Sequence, residues 1–587
     1  MGKGERATFD VNPRLTPSSQ PLSLKKGRNI HGLPTAQRPV KKGLLSEDEG
    51  VSDREPSVLD LRPAHCSAAH SASPLLQEAL DTSVLPLHKR KLLHDTKSHA
   101  FVHVEEPEVP LFILVTTYFS YLVLIVFAHL RDFFGKRFKS QEYAYLRHHD
   151  GYAPIFSDFE SLWRRRLYQR ISDCFQRPIT GVAGAYVTLL DRVSNDFNRT
   201  FKLTGTKTRT LNLASYNYLG FAQSTGPCAD SVEQSIEQFG VGNASPCADL
   251  GTTQLLRETE STVARFLGTE GALVVSMGFA TNSTTLPALV SKGCLLISDE
   301  LNHASLVTGS RLSGATIRVF RHNDTSHLES VLRDAISQGQ PRTHRPWKKI
   351  LVVVEGLYSM EGQFCDLPGI VALKEKYKFY LFVDEAHSIG AVGPRGRGVC
   401  DWFGVDPRKV DIHMGTFTKS FGSTGGYISG KKELIDFLRL NNHSTMYGES
   451  TSVPVLQQIA SSVRIIMGED GTNDGQRRLE TLAFNGMYFA KRLREMGYLT
   501  LGSDGSPVAP MLLMNPAKIP AFSRECLKRG ISVVVVCYPA TPIITSRVRF
   551  CLSASHTKED LDYALEQIDT IGNLLMLKLG SGSGNQH

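Results

Sequence analysis

Tyr380-Leu381-Phe382-Val383-Asp384-Glu385-Ala386-His387-Ser388 is the stretch on which the fold turns. Four apolar residues run without alternation and stop at an acid. A strand with one wet face alternates apolar and polar residues, whereas a continuous run implies burial on both faces, as in a parallel sheet covered by helices. Runs of the same kind recur at 272–276, 294–298, 316–320, 350–355 and 410–414, with helix-like patterns such as 325–337 and 368–378 between them. Alternation of strand and helix predicts a mostly parallel α/β sheet over 211–475. In such a sheet the ligand sits beyond the carboxyl ends of the strands. Polar residues that directly follow the runs are therefore the candidates: Asp384, the 298–305 stretch containing His303, the 355–359 stretch ending in Ser359, and Lys419.

Lys419 lies in Gly415-Thr416-Phe417-Thr418-Lys419-Ser420-Phe421-Gly422. A lone lysine among hydroxyls, aromatics and glycines suits an amine that forms a Schiff base with a phosphate-bearing carbonyl cofactor. By itself the octapeptide reads more readily as a solvated turn. Asp384 also reads as a helix N-cap. The tetrad Asp-Glu-Ala-His spells a helicase magnesium box as well, but that chemistry needs an upstream phosphate loop. The nearest match, Gly425-Gly426-Tyr427-Ile428-Ser429-Gly430-Lys431-Lys432, lies downstream and lacks the final hydroxyl.

The ends of the chain differ from this middle. Residues 1–105 are rich in Pro, Ser, Lys and Arg without apolar periodicity and read as a largely disordered arm. Residues 111–130 carry no formal charge, which sets a transmembrane or membrane-embedded helix at 109–131. Arg131, Lys136, Arg137, Lys139 and Arg147 follow it, against Lys91 and Lys97 before it, so the positive-inside rule puts the rest of the chain in the cytosol. A segment lying in the interface is the other reading of the same residues. Residues 132–210 read as an amphipathic and connecting segment, 476–575 as a smaller C-terminal α/β domain, and 576–587 as a flexible tail. A chain of 587 residues requires more than one domain, and its net charge of +8 is modest, fitting an anionic membrane or substrate better than nucleic acid. Ten scattered cysteines without a Cys-x-x-Cys pair imply a reduced, intracellular protein and no metal module.

Seven stretches in order carry a resemblance: Ser215-Tyr216-Asn217-Tyr218-Leu219-Gly220, Met277-Gly278-Phe279-Ala280-Thr281-Asn282, Tyr358-Ser359-Met360-Glu361-Gly362, Asp384 to Ser388, Gly415 to Gly422, Pro539-Ala540-Thr541-Pro542 and Arg547-Val548-Arg549-Phe550-Cys551-Leu552-Ser553. Together they resemble the α-oxoamine synthases, fold-type I pyridoxal-phosphate enzymes. The similarity is greatest to the catalytic subunit of the branch that joins L-serine to a long-chain acyl-CoA, such as palmitoyl-CoA, giving 3-ketosphinganine.

That resemblance implies pyridoxal 5'-phosphate as cofactor, bound covalently by Lys419, with Asp384 at the pyridine nitrogen and His303 stacked on the ring. His387 and Ser359 would lie near the phenolic oxygen. Backbone N–H groups of Gly278 and Phe279, with the hydroxyls of Thr416 and Thr418, would hold phosphate. Arg549 would take the amino-acid carboxylate, and Asn217 would touch the substrate. His303 as a helix-start residue and Arg549 as an ordinary strand-end arginine are the plainer readings.

The resemblance further implies a heterodimer with a homologous subunit lacking the lysine, at the endoplasmic reticulum membrane. A glycine-using relative and a catalytically silent scaffold subunit stay open as alternatives. One departure stands out. Where relatives carry Ser-Thr-Arg after a Gly-x-Gly, this chain reads Gly240-Val241-Gly242-Asn243-Ala244-Ser245-Pro246-Cys247.

Overall fold

The computed structural model describes residues 99–104 and 109–580. The arm expected at 1–105 therefore lies outside the described residues except for 99–104, as does the tail beyond 580.

Helix α1 (Leu111–Phe138) comes first and runs past the expected end at residue 131. Three strands follow: β1 (Ile179–Thr180), β2 (Tyr186–Val193) and β3 (Lys202–Asn212). They form an antiparallel meander, so the expected connecting segment contains a sheet of its own.

The large sheet comprises β4 (Gly271–Val275), β5 (Leu295–Asp299), β6 (Thr316–Phe320), β7 (Ile350–Glu355), β8 (Tyr380–Asp384), β9 (Ile412–Thr416) and β10 (Gly426–Gly430), in the order β4-β10-β9-β8-β7-β5-β6. β6, β5, β7, β8 and β9 pair in parallel, while β10 runs antiparallel between β9 and β4. The mostly parallel sheet is thus present, with one reversed strand where the sequence reads only a failed phosphate loop. Val352, Val353 and Val354 of β7 and Leu381, Phe382 and Val383 of β8 are fully buried, as their unbroken apolar runs require. Helices between the strands begin at side-chain caps: Asp324 accepts from the His327 N–H and Asp366 from the Gly369 N–H.

The C-terminal layer holds β11 (Val508–Leu512), β12 (Ile531–Ser532), β13 (Val534–Val536) and β14 (Arg547–Cys551). β11, β14 and β13 make an antiparallel sheet. β12 instead joins β3 in parallel, so residues 202–212 and 531–532 share one sheet. The final helix, Lys558–Leu575, opens with a capping box between Thr557 and Asp560.

Candidate active site

The carboxyl edge of the parallel sheet carries Asp384, His303 and Lys419. Asp384 closes β8 and is buried. Its Oδ1 accepts from the Ala386 N–H at 2.9 Å and its Oδ2 from Asn282 Nδ2 at 2.7 Å. Helix α2 (Gly278–Leu289) delivers Asn282. The same amide donates to Ser305 Oγ at 2.9 Å. No helix follows β8 directly, so Asp384 is not a helix N-cap; its carboxylate accepts within the turn after the strand and from Asn282.

Lys419 sits at the tip of the connection between β9 and β10. The Gly422 N–H donates to the Lys419 carbonyl, and Gly422 has φ +60°, where a Cβ would come within 2.5 Å of the Ala222 nitrogen. Among the described residues the Lys419 ammonium has no hydrogen bond or ion pair; its nearest aromatic neighbour is the Tyr216 ring, 5.7 Å from Nζ. Burial lowers the Lys419 pKa to about 8, opposed by Asp384 and Glu355 and reinforced by Arg549. An amine in that range is still mostly protonated near pH 7 but releases its proton far more readily than an ordinary lysine.

His303 begins helix α3 (Ala304–Leu312) and caps it, its Nδ1 accepting from the Ser305 N–H at 3.2 Å. Its own N–H donates to Glu355 Oε1 at 2.5 Å. The side chain stays exposed, yet the protein around it holds the imidazole below its ordinary value, with Lys419 adding to this and Asp384 opposing. His387 is buried, and its Nδ1 lies 2.8 Å from the Tyr218 hydroxyl. Burial drives the His387 pKa well down, helped by the charges of Lys419 and Arg549, so this imidazole is neutral.

The phosphate candidates also converge. Met277 precedes α2 and makes no side-chain cap, so the first N–H groups of the helix have no side-chain partner among the described residues. A Cβ on Gly278 would lie 2.9 Å from Thr416 Oγ1, so glycine is what lets the helix start approach that hydroxyl. Thr416 Oγ1 and Thr418 Oγ1 are 2.8 Å apart. The Phe279 ring meets His303 edge to face at 6.3 Å.

On β14, Arg547 and Arg549 share one strand face. Arg547 binds Glu361 Oε1 at 3.2 Å and the Met360 carbonyl at 2.8 Å. Arg549 reaches the Ser359 carbonyl at 3.5 Å and donates to the Tyr216 hydroxyl, with its guanidinium 4.7 Å from that ring. Its buried Nε has no partner among the described residues, and no carboxylate pairs with it. Ser359 is buried beside it.

Asn217 is placed differently from the expectation. Its Nδ2 donates to the Ala183 carbonyl at 3.1 Å and its Oδ1 accepts from the Ala222 N–H at 3.2 Å, so its amide holds two loops together. Tyr216, one residue earlier, is the side chain that meets Arg549, Lys419 and His387. Tyr216, Tyr218, Asn282 and Glu355 are the additions that sequence reasoning does not single out. Each stands inside or beside a quoted stretch, and Glu355 ends a buried strand just as Asp384 does.

The altered loop closes on a neighbouring segment: Pro246 bridges to Glu449, and Ser245 accepts from the Ser450 N–H at 3.4 Å. A Cβ at Gly251 would collide with the Ser245 and Pro246 carbonyls, which fixes glycine there.

A half-buried lysine with no ion pair among the described residues, a carboxylate on the adjacent parallel strand and a helix start without a side-chain cap fit a pyridoxal-phosphate transferase site. Residues 208–568 match the family aminotransferase class I and II. Serine palmitoyltransferase 2 of Schizosaccharomyces pombe is 54% identical over 501 residues, covering 85% of this chain and 83% of that protein. Human serine palmitoyltransferase 3 is 50% identical over 475 residues, covering 80% and 86%. Among solved structures, the Sphingomonas wittichii serine palmitoyltransferase is 28% identical with a TM-score of 0.64, covering 73% of this chain and 100% of that one. The enzyme from S. paucimobilis, solved with a bound PLP–myriocin aldimine, is 27% identical with a TM-score of 0.62, covering 71% and 97%. The chain belongs to the serine palmitoyltransferase family.

Proposed function

We propose that this chain is the lysine-bearing, catalytic subunit of a serine palmitoyltransferase. It condenses L-serine with a long-chain acyl-CoA, such as palmitoyl-CoA, to 3-ketosphinganine with loss of CoA and CO₂, the first step of sphingolipid biosynthesis. The observation that carries this is Lys419, unpaired in the same cleft as Asp384, in a chain about half identical to serine palmitoyltransferases over most of its length.

The residues fit pyridoxal 5'-phosphate: the free start of α2 beside Thr416 suits a phosphate, and the orphaned Nε of Arg549 suits a carboxylate. When bound, the cofactor supplies an electron sink for charge developing at the serine α-carbon. Lys419 Nζ binds it, takes the serine α-proton and returns a proton at the end. Asp384, steadied by Asn282 and the Ala386 N–H, keeps the ring nitrogen protonated. Neutral His303 offers its ring face, and His387 and Ser359 donate near the phenolic oxygen. Gly278 and Phe279 N–H groups with Thr416 and Thr418 hold phosphate. Arg549, oriented by Tyr216, grips the serine carboxylate until it leaves as CO₂.

We assign the partner as a homologous subunit that lacks the lysine. Met277 and Phe279 stand exposed at the start of α2, which supports a second chain covering that side. The heterodimer sits at the endoplasmic reticulum membrane with its catalytic body in the cytosol.

Co-expression with the partner, followed by labelled serine and palmitoyl-CoA, tests the reading. Labelled 3-ketosphinganine from the wild type and none from Lys419→Ala is the expected result. Product from glycine but not from serine overturns it.

A further inference from the structure

Just inside the catalytic edge of the sheet, three buried side chains from three elements meet. Glu385 follows Asp384 at the end of β8, Cys400 lies in helix α4 (Val399–Phe403), and His413 stands on β9, the strand that leads to Lys419. Their exposures are 1%, 5% and 2%, and one ligand atom of each lies within 4.8 Å of the others. No short motif joins them in the sequence, which is why the scattered cysteines read as holding no metal module. The parallel pairing of β8 with β9, and the Val399 N–H on Glu385, bring the three together.

The hydrogen bonds leave ligand atoms free. His413 Nε2 lies 2.9 Å from the Pro407 carbonyl, which puts the ring proton on Nε2 and leaves Nδ1 bare. A backbone carbonyl on the far nitrogen is also how a metal-bound imidazole is held. Glu385 Oε2 accepts from the Ser388 hydroxyl and from the Val399 N–H at 3.1 Å. Among the described residues Glu385 Oε1 has no hydrogen bond, and no lysine or arginine pairs with that carboxylate. Cys400 is a free thiol.

A fourth polar group stands beside them. Tyr427 is 1% exposed, and its hydroxyl is buried without a partner among the described residues. β10 pairs it with Gly415, where a Cβ would lie 2.5 Å from that hydroxyl, so the ring lies back across β9. Burial carries its pKa far up, and Glu385 is the charge that adds most, with Asp384 and Cys400 after it. Unpaired polar atoms are costly in a protein interior, and one ion that engages several of them removes that cost. Carboxylate, thiolate and imidazole are the donors of zinc. A thiolate and a carboxylate together also balance a divalent cation in a site that no lysine or arginine neutralises.

We propose that Glu385, Cys400 and His413 bind one zinc ion, its fourth position turned toward the Tyr427 hydroxyl. Zinc–sulfur and zinc–nitrogen bonds of about 2.3 and about 2.0 Å set tetrahedral ligands about 3.5 Å apart, which side-chain rotations reach from within the 4.8 Å observed. Binding releases the Cys400 thiol proton, and the Glu385 proton where it is carried, and changes no oxidation state. The ion is structural. It ties the turn after β8 to β9, between Asp384 and Lys419, and so holds in register the two residues assigned to the cofactor. The site does not depend on the reaction proposed above.

The test is the metal content of the full chain with its cofactor bound, purified without a metal-chelating tag. Elemental mass spectrometry is expected to find about one zinc per chain in the wild type, and about a tenth of that or less in Cys400→Ser and in His413→Leu. Absorbance of the bound cofactor shows that each variant is folded. Growth on cobalt(II) is expected to give the wild type a thiolate-to-cobalt absorption band, a reading that needs no variant. Stripping zinc from the wild type with a chelator is expected to lower its melting temperature by about 5 °C. Wild-type zinc below about a tenth of an ion per chain, with no cobalt–thiolate band, overturns the proposal. Zinc that remains in both variants overturns it as well, and a melting temperature unchanged by stripping overturns the structural role.

Discussion

Replacing Asn282 by Leu removes one donor and little volume. Asn282 Nδ2 is one of two N–H groups bonded to the Asp384 carboxylate, the other being the Ala386 backbone N–H. A hydrogen bond to a buried charged group is worth about 1.5–3 kcal/mol. Asp384 is the group proposed to pair with the cofactor ring, so on that reading the loss falls on the cofactor-bound state, where the carboxylate must stay aimed. At about 1.4 kcal/mol per factor of ten, the expected weakening of pyridoxal-phosphate affinity is about 10- to 100-fold. The assay is titration of the stripped enzyme with cofactor, followed by absorbance, with melting temperature measured in parallel. Asn282 Nδ2 also donates to Ser305 Oγ, so Ser305→Ala is the control. It breaks that bond and the Ser305 Oγ–His303 Nδ1 contact at 2.7 Å but leaves the one to Asp384, and it is expected to weaken binding by about threefold or less. Asn282→Leu binding within about twofold of wild type refutes the reasoning, because a donor worth that little does not orient the carboxylate.

Lys419→Met tests the buried amine through stability. The unfolded lysine takes its proton below about 10.5 and the folded one below about 8, so between these values the unfolded chain binds more protons. Stability of the stripped wild-type enzyme should therefore rise from pH 8 toward 10.5, and the Met variant should lack that rise and melt higher at pH 7; identical pH profiles count against the shift. Tyr216→Phe keeps the ring under Arg549 but deletes the hydroxyl it donates to. The Michaelis constant for serine should rise about tenfold with kcat largely kept, and a rise for acyl-CoA instead contradicts the assignment of Arg549. Gly278→Ala places a carbon 2.9 Å from Thr416 Oγ1. Equilibrium dialysis should show cofactor retention falling while circular dichroism stays unchanged, and full retention removes the start of α2 from the phosphate site.

The site was legible where chemistry follows a buried strand. Unbroken apolar runs announce burial on both faces, and a residue that ends or closely follows such a run has to lie at the sheet edge, which makes Asp384, His303 and Lys419 candidates together although the Lys419 octapeptide alone reads as a turn. Facing is harder. Asn282 occupies a quoted stretch, but its role depends on which side of α2 packs on β8. Tyr216 and Asn217 differ by one residue in a segment with no period, so nothing local says which side chain enters the cleft. Arg547 and Arg549 are equivalent in sequence, and only Glu361, which takes the first, separates them. The early sheet escapes because β3, Lys-Leu-Thr-Gly-Thr-Lys-Thr-Arg-Thr-Leu-Asn, is mostly exposed and polar. β10 escapes because its bounding glycines read as a loop.

The charges of the cleft carry the argument one step further. Lys419 and Arg549 are cations, Asp384 and Glu355 acids, and among the described residues none of the four is in a salt bridge with another. Elsewhere the same chain pairs its buried charges directly, as in Arg547–Glu361 and Arg439–Glu260. Burying a charge without a partner is costly, and a fold that does so repeatedly in one place is holding those groups for something else. On the proposed reading the complement of the set is a ring nitrogen for Asp384, a carbonyl carbon for Lys419, a carboxylate for Arg549, and a phosphate at the uncapped start of α2. A pyridoxal phosphate and an amino acid supply all four at once. Glu355 is the exception, because burial and the nearby Asp384 raise its pKa far above the ordinary range and it serves the His303 backbone instead. The acid that stays protonated positions the histidine, and the acid that Asn282 steadies is left to do chemistry.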